Sequence, residues 1–103
     1  MQTLSFDYPA GPPAARRALA GVVGSGDLEV LLEPGDSGRT TVAIATSVDG
    51  VDEIWRAVID RIFADDGLPA LKVEINDFGA TPAVVRLRIA QAMEQTSPEA
   101  RHD

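Results

Sequence analysis

In three stretches before about residue 47 the apolar side chains of this chain recur at every second position, and from residue 51 to 64 they recur at every third or fourth. No other feature confines the fold so tightly. A period of two builds half-buried strands, and a period near 3.6 builds amphipathic helices. Leu4, Phe6 and Tyr8 alternate with Thr3, Ser5 and Asp7 in a first strand. Pro9-Ala10-Gly11-Pro12-Pro13 stops it, because proline brings no amide to a ladder. Leu28, Val30 and Leu32 alternate with Asp27, Glu29 and Glu33 in another, which ends at the turn Pro34-Gly35-Asp36-Ser37-Gly38. The β-branched run Thr40 to Ser47 forms a further strand, with Val42 and Ile44 on its inner face. The stretch before Val23 reads two ways. Ala14 to Ala20 has the propensity to start a helix, but Gly21-Val22-Val23 and the need of the next segment for a partner favour a strand over Arg17 to Val23.

After the switch, Ile54, Trp55, Val58, Ile59, Ile62 and Phe63 form the apolar stripe of a helix from about Val51 to Ala64. Asp49 is the expected N-cap, Asp52 and Glu53 suit the positive helix end, and Gly67 and Pro69 end the segment. Leu71, Val73 and Ile75 then return to strand alternation. Thr81-Pro82 opens a second helix, threonine as N-cap and proline at the first helical position, with Val84, Val85, Ile89, Ala92 and Met93 as its stripe and Leu87 flanking. Four strands, a helix, a strand and a helix make an α+β domain. It should have two layers, a mostly antiparallel sheet with two helices on one face. The domain should run over residues 1–95, leaving 96–103 as a polar, frayed tail.

Within this frame Val23-Gly24-Ser25-Gly26-Asp27-Leu28-Glu29-Val30-Leu31 reads as a hairpin with Ser25 at its tip. Gly24 and Gly26 accept the positive φ of tight loops and leave no side chain beside the hydroxyl. A serine held clear of the fold suits modification by another protein, and suits poorly a nucleophile that needs an adjacent base.

Composition narrows the functions. A net charge of -7, from 16 acidic against 9 basic residues, argues against nucleic acid and anionic membranes as partners. The chain has no cysteine, hence no disulfide, no thiolate metal site and no thiol of its own. It has no apolar run long enough to span a bilayer and no signal-like N-terminus, so a cytoplasmic protein is expected. His102, the only histidine, stands near the end and supports neither a triad nor a metal site. Asp77-Phe78-Gly79 spells a kinase triplet, but without a phosphate loop or catalytic-loop motif it reads as a turn, with Phe78 tucked against the core. Asp27, Glu29 and Glu33 share one side of their strand; a solvated outer face explains them better than a carboxylate pair or cation site, with steering of partners as the runner-up. Trp55 belongs to the helix stripe and so to the core.

The stretch around Ser25, together with Asn76-Asp77-Phe78-Gly79-Ala80-Thr81-Pro82, resembles the acyl-carrier (δ) subunits of bacterial malonate decarboxylase over nearly the whole chain. The resemblance implies that Ser25 bears 2'-(5''-phosphoribosyl)-3'-dephospho-CoA through a phosphodiester, with Gly24 and Gly26 admitting the transferase that installs it. It implies a carrier of acetyl and malonyl thioesters that is not itself catalytic and binds no metal. Its partners would be the acyltransferase (alpha) and decarboxylase (beta/gamma) subunits and a malonyl transferase. The absent cysteine agrees, since the sulfur would then come with the prosthetic group. Two alternatives compete: the carrier subunit of citrate lyase, which uses the same group, and a structural or adaptor domain whose glycine loop is only a hairpin.

Overall fold

A computed structural model describes residues 2–14, 18–20, 28–47, 50–64 and 68–96 of the chain, with only the backbone described at 18–20. The elements are β1 (Gln2–Pro9), β2 (Ala18–Ala20), β3 (Leu28–Pro34), β4 (Arg39–Thr46), α1 (Asp52–Phe63), β5 (Leu71–Asp77) and α2 (Pro82–Thr96). The strands form one sheet in the order β1-β4-β5-β3-β2. All neighbours are antiparallel except β4 and β5, which run parallel because α1 carries the chain back between them. The expected α+β architecture, a mostly antiparallel sheet with two helices, is therefore present.

Register turns the alternation into a core. Leu28, Val30 and Leu32 of β3, Val42 and Ile44 of β4, and Leu71, Val73 and Ile75 of β5 all point to one face and are buried. Val42 lies opposite Val73, and Ile75 lies between Ile44 and Val30. Onto this face pack Trp55, Ile59 and Phe63 of α1 and Val85, Ile89 and Ala92 of α2, in a single cluster. Each fully buried side chain of this size contributes roughly 1.5–3 kcal/mol. Helix α1 is also tied to the edge strand β1. The Tyr8 hydroxyl donates to Asp60 Oδ1 (2.5 Å), the Tyr8 and Phe63 ring centroids are 5.8 Å apart, and the Arg56 guanidinium sits 5.3 Å over the Phe6 ring.

Several details depart from the sequence expectations. Ile54 is 54% exposed although it belongs to the apolar repeat of α1. The buried line of that helix is Trp55, Ile59 and Phe63; Ile54 heads the half-buried flank of Val58 and Ile62, in the first turn. Val51, not Asp49, stands at the α1 N-cap position and makes no side-chain cap bond; Asp49 lies outside the described residues. At α2 the expectation holds: Thr81 Oγ1 accepts from the Val84 amide (3.3 Å), with Pro82 following. That helix runs through Thr96, which is buried and donates its hydroxyl to the Met93 carbonyl (2.7 Å), so order extends one residue past the expected boundary at 95. Residues 97–103, Gly67, and all of the Arg17 to Val23 strand except Ala18–Ala20 lie outside the described residues.

Candidate functional site

Ser25, Gly24 and Gly26 lie outside the described residues, as do Asp27 and His102. The described chain fixes where their segment is moored. The antiparallel β2–β3 pair sets Ala20 opposite Val30, and Leu28 opens β3 opposite Asp77, the last residue of β5. Residues 21–27 thus connect two strands at the end of the sheet where β4 and β5 finish. Leu28, three residues after Ser25, is fully buried. Three residues span at most about 11 Å.

Asp77 organises that end. Its side chain is on the inner face and the residue is only 4% exposed. Oδ2 accepts from the Thr46 hydroxyl (2.8 Å), and Oδ1 accepts from the amides of Gly79 (3.0 Å) and Ala80 (2.8 Å). Its carbonyl accepts from the Ser47 amide (3.1 Å), which ties the exit of β4 to the exit of β5. One carboxylate therefore closes the β5–α2 turn and joins it to β4, an Asx-type turn built inside the fold. Gly79 completes it with φ +112°, where a side chain would be strained.

This geometry overturns the placement of Phe78. Its ring is 57% exposed rather than tucked against the core. Alternation continues to the end of β5: Asp77 takes the inward position, so its neighbour must face outward. The turn was readable from Asp77-Phe78-Gly79; the burial of the aspartate in place of the phenylalanine was not. An aspartate ending a strand two residues before a glycine is the signal that would have found it.

The other candidate residues fall where the plainer explanations put them. Glu29 and Glu33 lie on the outer side of β3, half-buried, and Glu29 Oε1 accepts from Asn76 Nδ2 (3.3 Å) on β5. Trp55 is core. Among the described residues, no group of three or more His, Cys, Asp or Glu side chains could hold a metal ion, and no helix is long and apolar enough to cross a membrane.

Comparison with known proteins agrees with this architecture. The family model "Malonate decarboxylase delta subunit (MdcD)" matches residues 15–96. The chain is 60% identical, over 94% of its length and 98% of the relative's, to the malonate decarboxylase acyl carrier protein of Azotobacter vinelandii. It is 54% identical to that of Pseudomonas aeruginosa (strain UCBPP-PA14) over the full length of both. Its fold is similar, with a TM-score of 0.88 and 52% identity, to a chain in the crystal structure of a Pseudomonas malonate decarboxylase hetero-tetramer in complex with malonate, covering 94% of this chain and all of that one. On sequence, length and fold alike, the chain belongs to the malonate decarboxylase acyl carrier protein family.

Proposed function

We propose that this carrier holds its acyl group on a phosphoribosyl-dephospho-CoA arm joined to Ser25 by a phosphodiester. The chain itself would perform no bond-making step. The observation that carries the proposal is where the described chain stops and resumes around Ser25: Ala20 of β2 lies opposite Val30, and Leu28, three residues after Ser25, is fully buried opposite Asp77 and its hydrogen-bonded turn. Such a site fits a long tethered group, because the chain is held in the sheet from Leu28 onward while the glycine neighbours of the serine demand no space. The arm supplies the thiol that the chain, with no cysteine, does not have.

The work of this chain's own residues is placement. Leu28, paired with Asp77, fixes the start of β3 three residues after Ser25, which limits how far the attached group can stray from the domain. Tethering then converts meetings with acyltransferase and decarboxylase subunits into intramolecular events at high effective concentration. Gly24 and Gly26 leave the serine hydroxyl open to the transferase that installs the arm. The test is intact mass spectrometry of the chain coexpressed with that transferase. An adduct of the mass of the phosphoribosyl-dephospho-CoA group, absent from Ser25→Ala, is expected; an adduct that survives Ser25→Ala would refute the assignment.

A further inference from the structure

Among the described residues three large apolar side chains are exposed: Ile54, Phe78 and Leu87. Two of them, Ile54 and Phe78, stand at one end of the sheet. Phe78 follows the last residue of β5, and Ile54 lies in the first turn of α1, which begins shortly after β4 ends beside β5. Ala20 and Leu28, between which the Ser25 segment lies in the sequence, are at the same end. A single exposed apolar residue ordinarily means nothing. Phe78 differs because of what holds it. Asp77 locks the backbone on either side through Thr46, Gly79 and Ala80, and Gly79 is fixed in the left-handed region. A ring presented on so constrained a turn has little freedom left to lose when it is covered.

We infer that Phe78 is the anchor by which this carrier docks on the decarboxylase subunit that receives its acyl group. The inference rests on the carrier function proposed above. The ring enters an apolar pocket on that partner. The charge at the same end of the sheet states the rest of the partner's chemistry. Asp52 and Glu53, in the first turn of α1, are exposed and have no ion-pair partner among the described residues. The pocket is therefore bordered by lysine or arginine, which would steer approach as well as complement the rim. Docking through the end of the sheet also has a geometric reason. A contact within a few residues of the attachment segment points the tethered group at the partner's reaction centre, whereas a contact at the far end would leave it facing away.

The experiment measures binding of the unmodified full-length chain to the assembled decarboxylase subunits by isothermal titration. Wild type, Phe78→Ala, Phe78→Leu and Leu87→Ala are compared, with melting temperatures recorded for each. Phe78→Ala is expected to weaken binding roughly tenfold or more, as loss of a central aromatic anchor does. Phe78→Leu should keep part of the affinity, and all three melting temperatures should stay near wild type. Leu87→Ala removes an equally exposed side chain from the outer surface of α2 and should bind within about twofold of wild type. Wild-type affinity retained by Phe78→Ala overturns the inference and leaves the carrier function standing. Failure of the wild-type chain to bind these subunits at all overturns both. A self-association of the chain that Phe78→Ala abolishes, with subunit binding unchanged, would assign the ring to a second copy and overturn the inference as well.

Discussion

The two ends of the sheet are held by different means. At the end where β4 and β5 begin, main chain mostly ties main chain: Ala10 to Gly38, Gly38 to Gly11, Gly11 to Leu68, Ala70 to Pro12, and Ala14 and Gly35 both to the Ala70 carbonyl, with the buried Thr40 hydroxyl accepting from the Leu71 amide (3.1 Å) and donating to the Pro69 carbonyl (3.4 Å). Arg39 and Asp7 add a surface ion pair (3.0 Å). At the end where β4 and β5 finish, one side chain, that of Asp77, closes the turn and joins it to Thr46. Backbone stitching binds the proline- and glycine-rich connections into a closed seam. The aspartate instead secures the strand end while leaving its neighbour's ring in solvent. On the docking inference, one end stays shut and the other presents Phe78.

Substitution at each end should separate these roles. Asp77→Ala leaves a hydroxyl and two amides without their acceptor, so a loss of about 3 kcal/mol in urea unfolding is expected. Asp77→Asn, which keeps an acceptor oxygen, should lose much less. Asp77→Ala should also weaken subunit docking, because the turn that holds Phe78 is released. Gly35→Ala strikes the opposite end. Its Cβ would lie 2.8–3.0 Å from the backbone C, O and N of Leu71, atoms that cannot swing aside. A loss of about 2 kcal/mol is expected there, with subunit binding by the folded fraction unchanged. If Gly35→Ala impaired docking as much as Asp77→Ala, the division between a structural and a presenting end would be wrong.

How far the sequence reveals this division depends on what holds each part. Strands β1, β3, β4 and β5 and both helices were legible because their apolar periods survive into the burial pattern. The Thr81-Pro82 cap was legible because its chemistry is local. The strand order was not. That β5 lies between β3 and β4, and that β1 pairs with β4, depends on contacts between distant segments that periodicity cannot encode. Ile54 and Phe78 were misplaced for a related reason: hydrophobicity says a residue can be buried, while register and the reach of an element decide whether it is. As for Ser25, its chemical role came from family resemblance; the residues themselves spoke only for a small, open loop.

A smaller effect is expected at the α1–β1 tether, whose hydrogen bond joins Tyr8 to Asp60. Burial, then the hydrogen bond to and the charge of Asp60, push the Tyr8 hydroxyl well above the ordinary tyrosine value. A pKa raised on folding means that the folded state favours the protonated phenol. The associated stability is complete below the unfolded value of about 10 and is lost as pH rises beyond it. Tyr8→Phe should cost about 1 kcal/mol at neutral pH. It should also flatten the fall in stability above about pH 10, read from urea midpoints across the alkaline range. The tether lies at the end where β4 begins, since Tyr8 pairs with Thr40, and away from Phe78, so docking should be indifferent to it.

The smallest effect on stability should come from the residue with the largest effect on function. Ser25→Ala exchanges one small side chain for another between two glycines, in a loop expected to stand clear of the packed interior, so unfolding should shift by no more than about 0.5 kcal/mol. Docking of the unmodified chain should be equally unaffected, because the proposed anchor is Phe78 and not the serine. Loss of the covalent adduct should nevertheless be complete. A substantial drop in stability would mean that the hydroxyl is buried and structural. A substantial drop in docking would move the contact from the turn onto the loop itself, and the presenting end would then depend on the glycine segment more than on the aspartate that closes β5.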